Sequence, residues 1–179
     1  MLNEIICTGF GGQGVLTAGK IIVYAAYKKG LKVTWFPSYG NEMRGGSANC
    51  NVVLSDQRIA SPYVNHPDTL IELNCPAVDH FEPAIKPGGY FFINSSLLDP
   101  AREFRGDVTV IRTPVTEIAQ SLKNEHAANI CMLGQWVRVL EQFTKDEFLR
   151  CMGEYFDQLG KGKYNAKNAE AFEAGYAFV

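Results

Sequence analysis

The first 36 residues constrain the fold most, because a glycine-rich turn there separates a short apolar run from a longer amphipathic one. Glu4–Thr8 is apolar at its centre and predicts a buried strand. The turn Gly9–Gly14 follows, and Val15–Lys29 then carries apolar residues around most of its circumference, as a helix packed on a sheet does. Leu31–Phe36 predicts a second strand. Strand, helix and strand in this order form a right-handed βαβ unit with parallel strands.

The rest of the chain continues this alternation. Further strands are predicted at Ala48–Ser55, Leu70–Leu73, Tyr90–Asn94 and Asp107–Arg112, with a short extended piece at Ile59–Pro62. Helices are predicted at Cys75–Ile85 (Pro76 in its first turn), Val115–Leu122, Ala127–Phe143, Thr144–Leu159 and Lys167–Phe178. We therefore expect one three-layer α/β/α domain spanning residues 1–179. Its sheet should be mostly parallel but mixed, with an antiparallel neighbour within residues 48–62, and its first βαβ unit should be Rossmann-like.

The glycine turn has the spacing of a dinucleotide-binding fingerprint. Gly9, Gly11 and Gly14 satisfy G-x-G-x-x-G between a predicted strand and a predicted helix. Such a turn presents backbone N–H groups at the positive end of a helix, which suits an anion. The fingerprint also requires an acidic residue near the end of the second strand to hold a ribose, and Phe36–Ser38 supplies none. The sequence therefore favours NAD binding only weakly.

Two other interpretations of the same turn stay open. Gly14–Lys20 spells G-x-x-x-x-G-K, but Ile21 follows where a phosphate loop needs Ser or Thr for magnesium. The turn could instead pack closely against another chain, or bind a different anion, since glycine allows close backbone approach.

A polar stretch of fourteen residues, Pro37–Cys50, lies between two predicted strands and predicts a loop. It contains an acid and a base, Glu42 and Arg44, together with three glycines. A solvated turn with a surface ion pair is the simple interpretation. The alternative is a functional loop, because ordered loops of this length commonly bind a ligand or a partner.

Charge and composition exclude several functional classes. The formal net charge is −2 and there is no run of Lys and Arg, so nothing favours nucleic-acid binding. No stretch approaches the ~18 apolar residues of a membrane span, and Met1–Glu4 lacks the start of a signal peptide. The five cysteines and three histidines have no metal-ligand spacing. Reduced, mostly buried thiols in a cytoplasmic protein are expected.

Catalytic residues are not evident in the sequence. His80 falls in a predicted helix, while His66 and His126 lie beside polar links, and none has a candidate nucleophile nearby in the pattern. We expect each to be structural or exposed.

Several motifs together resemble one enzyme family. The turn Gly9–Val15 followed by Pro37–Gly46 closely resembles the gamma subunit of the 2-oxoacid:ferredoxin oxidoreductases. Later stretches resemble the same family in order: Asn74–Ala77, Lys86–Gly89, Asn94–Ser96, Pro114–Ala119, Asn129–Ile130, Leu133–Gly134 and Ala171–Tyr176. The resemblance covers nearly the whole chain. Several motifs in the same order identify a family far more specifically than any one motif alone.

The resemblance implies a function beyond what the residues show. Members of the family convert a 2-oxoacid and coenzyme A into acyl-CoA, carbon dioxide and reduced ferredoxin. Thiamine diphosphate and iron–sulfur clusters would be held by alpha, beta and ferredoxin-like delta partners. This chain would interact with ferredoxin only indirectly, through those partners. This chain would bind none of these cofactors alone and would be inactive alone. The form of Pro37–Cys50 is most similar to the 2-oxoglutarate type, with pyruvate, branched-chain and indolepyruvate types as alternatives.

The resemblance also indicates where coenzyme A would be contacted. The expected residues are Gly11, Gly12, Gln13, Gly14, Ser38, Tyr39, Glu42, Arg44, Gly45 and Gly46. No catalytic or metal-binding residue is expected on this chain. Two alternatives stay open: a purely non-catalytic scaffold subunit, and a nucleotide-binding oxidoreductase domain that uses Gly9–Gly14.

Overall fold

A computed structural model describes residues 1–39, 47–74 and 78–178 of the chain. Six strands form one sheet: β1 (Leu2–Phe10), β2 (Lys32–Tyr39), β3 (Ser47–Ser55), β4 (Thr69–Glu72), β5 (Tyr90–Asn94) and β6 (Thr109–Thr113). The helices are α1 (Val15–Lys28), α2 (Val78–Phe81), α3 (Val115–Ser121), α4 (Ala128–Leu140), α5 (Lys145–Gln158) and α6 (Asn165–Ala177). Short 3₁₀ turns precede α4 and α6 and follow α2 and β5.

The sheet is mostly parallel and mixed, as predicted. Its strand order is β2-β3-β1-β4-β5-β6, and β1, β4, β5 and β6 pair in parallel. Strand β3 is antiparallel to both of its neighbours, β1 and β2. The two strands joined by α1 therefore point the same way, but β3 lies between them. The predicted antiparallel neighbour is confirmed at β3.

The two faces of the sheet are covered very differently. On one face, α1, α3, α4, α5 and α6 bury a large apolar cluster against alternate residues of the strands, among them Ile5, Val52 and Phe92. On the other face a smaller cluster, including Leu70 and Phe91, is covered by α2, the 3₁₀ turn after it and the chain around Val64 and Phe104. One outer layer of the three is thus built from long helices, and the other mainly from loops.

Helix α1 ends where its sequence predicts. Gly30 follows the last residues of α1 with a φ of +87°, a conformation that side chains rarely adopt. The Gly30 N–H donates to the Tyr27 carbonyl at 2.9 Å, and the Leu31 N–H donates to the Ala26 carbonyl at 3.1 Å. These two bonds form the Schellman motif, which satisfies carbonyls that the helix itself leaves free.

Helix α5 begins at a side-chain cap. The Thr144 hydroxyl accepts a hydrogen bond from the Glu147 N–H at 3.2 Å, so Thr144 is the N-cap of this helix. The side chain of Glu147 lies instead near Lys29, with 3.5 Å between Nζ and Oε2.

Two predicted elements are shorter or absent. The helix predicted at Cys75–Ile85 is a four-residue helix, α2, followed by a 3₁₀ turn at Glu82–Ala84; residues 75–77, including Pro76, lie outside the described residues. Pro83 accounts for the change, because proline removes an N–H and disfavours the helical conformation of the residue before it. The short extended piece predicted at Ile59–Pro62 is not part of any strand of the sheet.

The prediction of a fourteen-residue loop at Pro37–Cys50 is wrong at both ends. Strand β2 continues to Tyr39 and β3 starts at Ser47, with Pro37 opposite Cys50 and Ser38 opposite Asn49. Antiparallel pairing outweighs polar composition here, because every second residue of an antiparallel ribbon can face solvent. Pro37 is tolerated because β2 is an edge strand, where a missing N–H breaks no ladder.

Candidate functional site

The glycine turn and the end of the β2–β3 hairpin meet at one edge of the sheet. Ala48 of β3 pairs with Gly9 on one side and with Tyr39 on the other. The turn leaves β1 at this edge, and the parallel strands β4, β5 and β6 also end here. The chain that leaves β1 continues to β2 on one side, and the chain that leaves β4 continues to β5 on the other, so the two connections run in opposite directions along the sheet. Ligands of open α/β sheets bind at such a switch point, outside the carboxyl ends of the strands.

The side chain of Gln13 closes the glycine turn. Its Oε1 accepts a hydrogen bond from the Phe10 N–H at 2.7 Å, and its Nε2 donates to the Leu73 carbonyl at 3.1 Å. The Gln13 N–H also donates to the Phe10 carbonyl at 3.2 Å. Gln13 thereby ties the turn after β1 to the residue that follows β4. This predicted cofactor contact is first of all a structural anchor.

Glycine is required in the turn for two different reasons. Gly14 is the N-cap of α1 with φ +75°, and a Cβ added there would collide with the amide of Asn129, whose Nδ2 donates to the Gly14 carbonyl at 3.0 Å. At Gly9 an added Cβ would lie 2.7 Å from Val15 Cγ2. Gly12 has φ +101° but open space around it. Close packing explains Gly9, backbone conformation explains Gly12, and both apply at Gly14.

The start of α1 has the properties of an anion site. Within the described ranges, no side chain caps the helix, and no acceptor is present for the N–H groups of Val15, Leu16 and Thr17. The first turn contains no acidic residue. Free N–H groups at the positive end of a helix dipole favour a phosphate or carboxylate.

A shallow cavity of about 240 Å³ opens beside this turn. Its lining comes from the glycine turn, the segments after β4, β5 and β6, and the approach to α4: Gly12, Gln13, Leu73, Leu97, Thr116, Glu125, His126 and Ala128. It therefore lies at the carboxyl edge of the sheet, where the switch point predicts a ligand.

A second polar network at this edge was not recognised as part of a site from sequence. Asn94 Nδ2 donates to the Thr116 hydroxyl at 2.8 Å and to the Leu73 carbonyl at 3.3 Å. The Leu73 carbonyl thus receives both Asn94 and Gln13. The signal was present, because Asn94 ends an apolar strand and Thr116 follows the next one. Both belong to motifs of the family resemblance, and their shared role is to hold three strand ends together.

Glu72 is a buried carboxyl at the same edge, also missed from sequence. It ends β4, is 0% exposed, and lies beside Thr8 of β1 in the parallel register. Its Oε1 accepts the Asn74 N–H at 3.0 Å, while Glu72 Oε2 and the Thr8 hydroxyl have no partner among the described residues. Burial raises the pKa of Glu72 from 4.5 to about 8, although the Asn74 N–H opposes this. The fold therefore favours the neutral acid at pH 7.

The remaining predicted contacts are placed only in part. Gly11 is half-buried in the turn, and Ser38 is exposed on β2. Tyr39 ends β2 opposite Ala48, at the edge that carries the turn. Glu42, Arg44, Gly45 and Gly46 lie outside the described residues. The structure therefore brings the turn and the hairpin end to one edge, and the predicted contact with coenzyme A stays a prediction.

The thiols behave as buried apolar groups. Cys7, Cys50, Cys131 and Cys151 are free and buried, as expected, and Cys75 lies outside the described residues. A hydrogen bond with Cys50, together with burial, raises the pKa of Cys7 well above its ordinary value. Within residues 1–39, 47–74 and 78–178, no cluster of three or more potential ligands could hold a metal ion. In the same part of the chain, no helix is long and apolar enough to cross a membrane.

The strand order weakens the dinucleotide interpretation further. A ribose-binding acid would have to stand at the end of the strand next to β1, yet the neighbour of β1 on that side is β3. The end of β2 lies two strand spacings away, about 10 Å. Phe36 there packs against Tyr63, with 4.7 Å between ring centroids.

Comparison with known proteins gives a consistent family. The family model described as pyruvate ferredoxin/flavodoxin oxidoreductase matches residues 4–178. A 2-oxoglutarate synthase subunit KorC of Methanocaldococcus jannaschii is 36% identical over 178 residues, covering 98% of this chain and 93% of that protein. A ketoisovalerate oxidoreductase subunit VorA of Methanothermobacter thermautotrophicus is 37% identical over 168 residues, covering 93% of this chain. The chain spans only 34% of the length of that VorA protein.

Solved structures agree with the sequence comparisons. The 2-oxoglutarate:ferredoxin oxidoreductase of Magnetococcus marinus, with 2-oxoglutarate, coenzyme A and succinyl-CoA bound, superposes with a TM-score of 0.87 at 25% identity. The match covers 98% of this chain and 30% of that one. The gamma subunit of a keto/oxoacid ferredoxin oxidoreductase from Geobacter sulfurreducens gives a TM-score of 0.79 at 26% identity and covers 97% and 96% of the two chains. On its motifs, fold and match over residues 4–178, the chain belongs to the pyruvate ferredoxin/flavodoxin oxidoreductase family and has the fold of its gamma subunits.

Proposed function

We propose that this chain is the gamma subunit of a multisubunit 2-oxoacid:ferredoxin oxidoreductase. The complex would convert a 2-oxoacid and coenzyme A into acyl-CoA, carbon dioxide and reduced ferredoxin. One observation carries the proposal: the chain corresponds end to end with a 2-oxoglutarate synthase subunit, covering 98% of this chain and 93% of the relative. A fold alone would not identify a function, but a full-length match to a named subunit type supports one.

In this proposal the chain is an accessory subunit without catalytic residues of its own. Thiamine diphosphate and the iron–sulfur clusters belong to alpha, beta and ferredoxin-like delta partners, where they supply decarboxylation and electron transfer. The 179 residues act as one domain that assembles with those partners in the cytoplasm. The substrate is a 2-oxoacid, with 2-oxoglutarate favoured because 2-oxoglutarate synthase subunits KorC recur among the relatives.

This chain would contact coenzyme A at the carboxyl edge of its sheet. The free N–H groups at the start of α1 suit a phosphate of the coenzyme, and the cavity beside Gly12 and Gln13 leaves about 240 Å³ for a bound group. Glu42 and Arg44 belong in sequence to the segment between the end of β2 and the start of β3, both of which lie at this same edge. A guanidinium such as that of Arg44 can hold a phosphate or carboxylate with two parallel hydrogen bonds, which lysine does not reproduce. Coenzyme A is bound in the Magnetococcus marinus relative, which supports the coenzyme as a ligand of the complex.

Reconstitution tests the proposal. The purified chain should not reduce a viologen dye with 2-oxoglutarate, coenzyme A and thiamine diphosphate, whereas the complex formed with the products of neighbouring genes should. The Arg44→Lys and Glu42→Gln complexes should show weaker assembly or a raised KM for coenzyme A, while the melting temperature of the lone subunit stays the same. Gly106→Ala is the matched control, since Gly106 has open space around it.

Two results would each contradict one part of the proposal. Dye reduction by the chain alone would show that it carries its own catalytic site. Normal assembly and normal kinetics in both hairpin variants would instead leave the subunit assignment standing and remove the hairpin from coenzyme A access and assembly. In the second case Glu42 and Arg44 would form only a surface ion pair, which contributes less than about 1 kcal/mol to stability.

A further inference from the structure

One long side of β2 is an edge of the sheet. β2 is the first strand in the order β2-β3-β1-β4-β5-β6, and among the described strands it pairs only with β3. In an antiparallel ladder, successive residues direct their N–H and C=O groups alternately toward the paired strand and away from it. Pro37 has no N–H, so its pair with Cys50 is of the kind that is directed away from β3. Val33 and Trp35 belong to the same outward set.

The hydrogen bonds of β1 lead to the same assignment. The Thr8 carbonyl accepts a hydrogen bond from the Leu73 N–H at 2.9 Å, so Thr8 bonds toward β4. Its neighbour Cys7 then bonds toward β3, where it pairs with Cys50. Cys50 is therefore directed to β1, and Pro37 on its other side is directed to the free edge of β2.

The outward set leaves backbone groups without partners. Val33 and Trp35 each present an N–H and a C=O group to the free edge, and among the described residues these groups have no hydrogen-bond partner. Such a row of unpaired groups is a template for one more strand. Proteins use it to bind an extended segment of another chain, which adds to the sheet.

An apolar groove of about 290 Å³ lies beside this edge, between β2 and the helices α1 and α5. Val33 and Trp35 point to this face, because they pair with Leu54 and Val52 of the core on the helical side. A residue of an added strand that pairs with Val33 or Trp35 would point to the same face. Its side chain would therefore enter the groove, whose apolar and aromatic lining is Val23, Tyr24, Tyr27, Val33, Trp35 and Tyr155.

The aromatic walls of the groove are held in place. The Tyr24 hydroxyl accepts a hydrogen bond from Gln158 Nε2 at 2.8 Å, and the Tyr24 ring lies edge-on to Tyr155 with 5.8 Å between centroids. Tyr27 is 67% exposed, so most of its ring is available for contact. Exposed aromatic side chains on a rigid scaffold are typical of protein interfaces.

The free charges beside the groove are positive. Lys20 is exposed, with its Nζ 4.7 Å from the centroid of the Trp35 ring, and Lys32 is exposed at the start of β2. Neither lysine forms an ion pair with another described residue. The neighbouring carboxylate of α5, Glu154, already pairs with Lys28 at 2.8 Å. A second copy of this chain would bring the same lysines to the same place, so the charge favours an acidic partner.

We propose that an extended segment of a partner subunit adds to the sheet along β2, with apolar side chains at alternate positions in the groove and a carboxylate beside Lys20. The inference rests on the proposed function, because it takes the partner from the complex to which this chain is assigned. Backbone bonds to Val33 and Trp35 align the segment, and the groove selects every second side chain.

Hydrogen exchange of the full chain, alone and in the reconstituted complex, tests the proposal. With single amides resolved by mass spectrometry, the N–H groups of Val33 and Trp35 should exchange rapidly in the lone chain and slowly in the complex. Those of Thr34 and Phe36, which bond to β3, should be slow in both. Protection gained only at alternate amides indicates an added strand rather than general burial.

Two surface variants test the side-chain contacts. Lys20→Glu should weaken assembly by about tenfold or more, because two carboxylates would then face each other. Tyr27→Ala should weaken it through the loss of apolar contact. Both side chains are exposed, so the melting temperature of the lone chain should stay the same. Lys167→Glu is the matched control, an exposed lysine in the first turn of α6 and outside the groove.

Three results would overturn the proposal in different ways. If the complex forms while Val33 and Trp35 still exchange rapidly and both variants assemble normally, the strand addition is wrong and the subunit assignment stands. If the lone chain dimerises in analytical ultracentrifugation and protects the same two amides, a second copy occupies the edge. If the native chain forms no complex with the products of neighbouring genes, the proposed function fails and this inference fails with it.

Discussion

At the scale of one residue, Glu72 is a carboxyl that the fold keeps protonated at pH 7. The residue is fully buried at the end of β4, and one of its oxygens has no partner among the described residues. With its amide oriented to satisfy both neighbours, Asn74 donates to Glu72 Oε1 at 2.6 Å and accepts from the Phe10 N–H at 3.1 Å. The carboxyl thus links the strand end to the glycine turn through Asn74. It can do so in its neutral form, because burial raises its pKa to about 8.

Stability should fall with rising pH because of this residue. The folded pKa of about 8 lies above the ordinary value of 4.5, so between these values the folded chain holds a proton that the unfolded chain has released. Glu72→Gln removes this difference. Its free energy of unfolding relative to the native chain should therefore increase from pH 5 to pH 8, by up to about 1.4 kcal/mol per pH unit. Urea denaturation at each pH measures it.

An exposed carboxylate provides the comparison for that experiment. Glu125→Gln, which changes an exposed carboxylate in the same way, is measured beside it at each pH. If the Glu72→Gln difference stays constant from pH 5 to pH 8, the carboxyl is ionised in the fold, and the neutral-acid description is wrong.

The glycine turn and α1 illustrate the scale of the element. Gly12 and Gly14 both have positive φ, but only Gly14 also packs against Asn129. Gly12→Ala should lower the free energy of unfolding by about 1–2 kcal/mol for backbone conformation alone. Gly14→Ala should cost more, because the added methyl also displaces the amide that bonds to the Gly14 carbonyl. Gly106→Ala should have almost no effect.

A second substitution separates the two contributions at Gly14. In the double variant Gly14→Ala/Asn129→Ala the collision is gone, so part of the loss should be recovered and the two changes should not be additive. Equal losses in Gly12→Ala and Gly14→Ala would show that packing against Asn129 contributes nothing.

Elements were predictable from sequence where local pattern decides them. Tyr90–Asn94 is a strand with the predicted bounds, and α5 starts directly after Thr144, where its predicted range begins. Elements that depend on partners were not: β2 extends to Tyr39 and β3 starts at Ser47, inside the predicted loop, because these two strands pair with each other. The site followed the same rule. The glycine turn was recognisable as a sequence motif. Glu72 and Asn94 can be recognised as residues of the site only in the structure, which places β1, β4 and β5 side by side.

At the scale of the molecule, the position of β3 decides which nucleotide sites are possible. Since β3 separates β1 from β2, no residue at the end of β2 can complete a dinucleotide site around Gly9–Gly14 in the usual way. We therefore expect no specific heat on calorimetric titration with NAD or NADP at millimolar concentrations, where a Kd of about 1 mM would register. Tight binding of either nucleotide would restore the nucleotide-dependent oxidoreductase as the function of this chain.

The double pairing of β3 also has an evolutionary consequence. Its register is fixed independently on two sides, by Cys50 opposite Cys7 of β1 and opposite Pro37 of β2. A shift of one residue would turn every side chain of β3 to the wrong face, and both ladders oppose it. The two ladders would therefore keep the sheet aligned even if the segment between β2 and β3 changed in length.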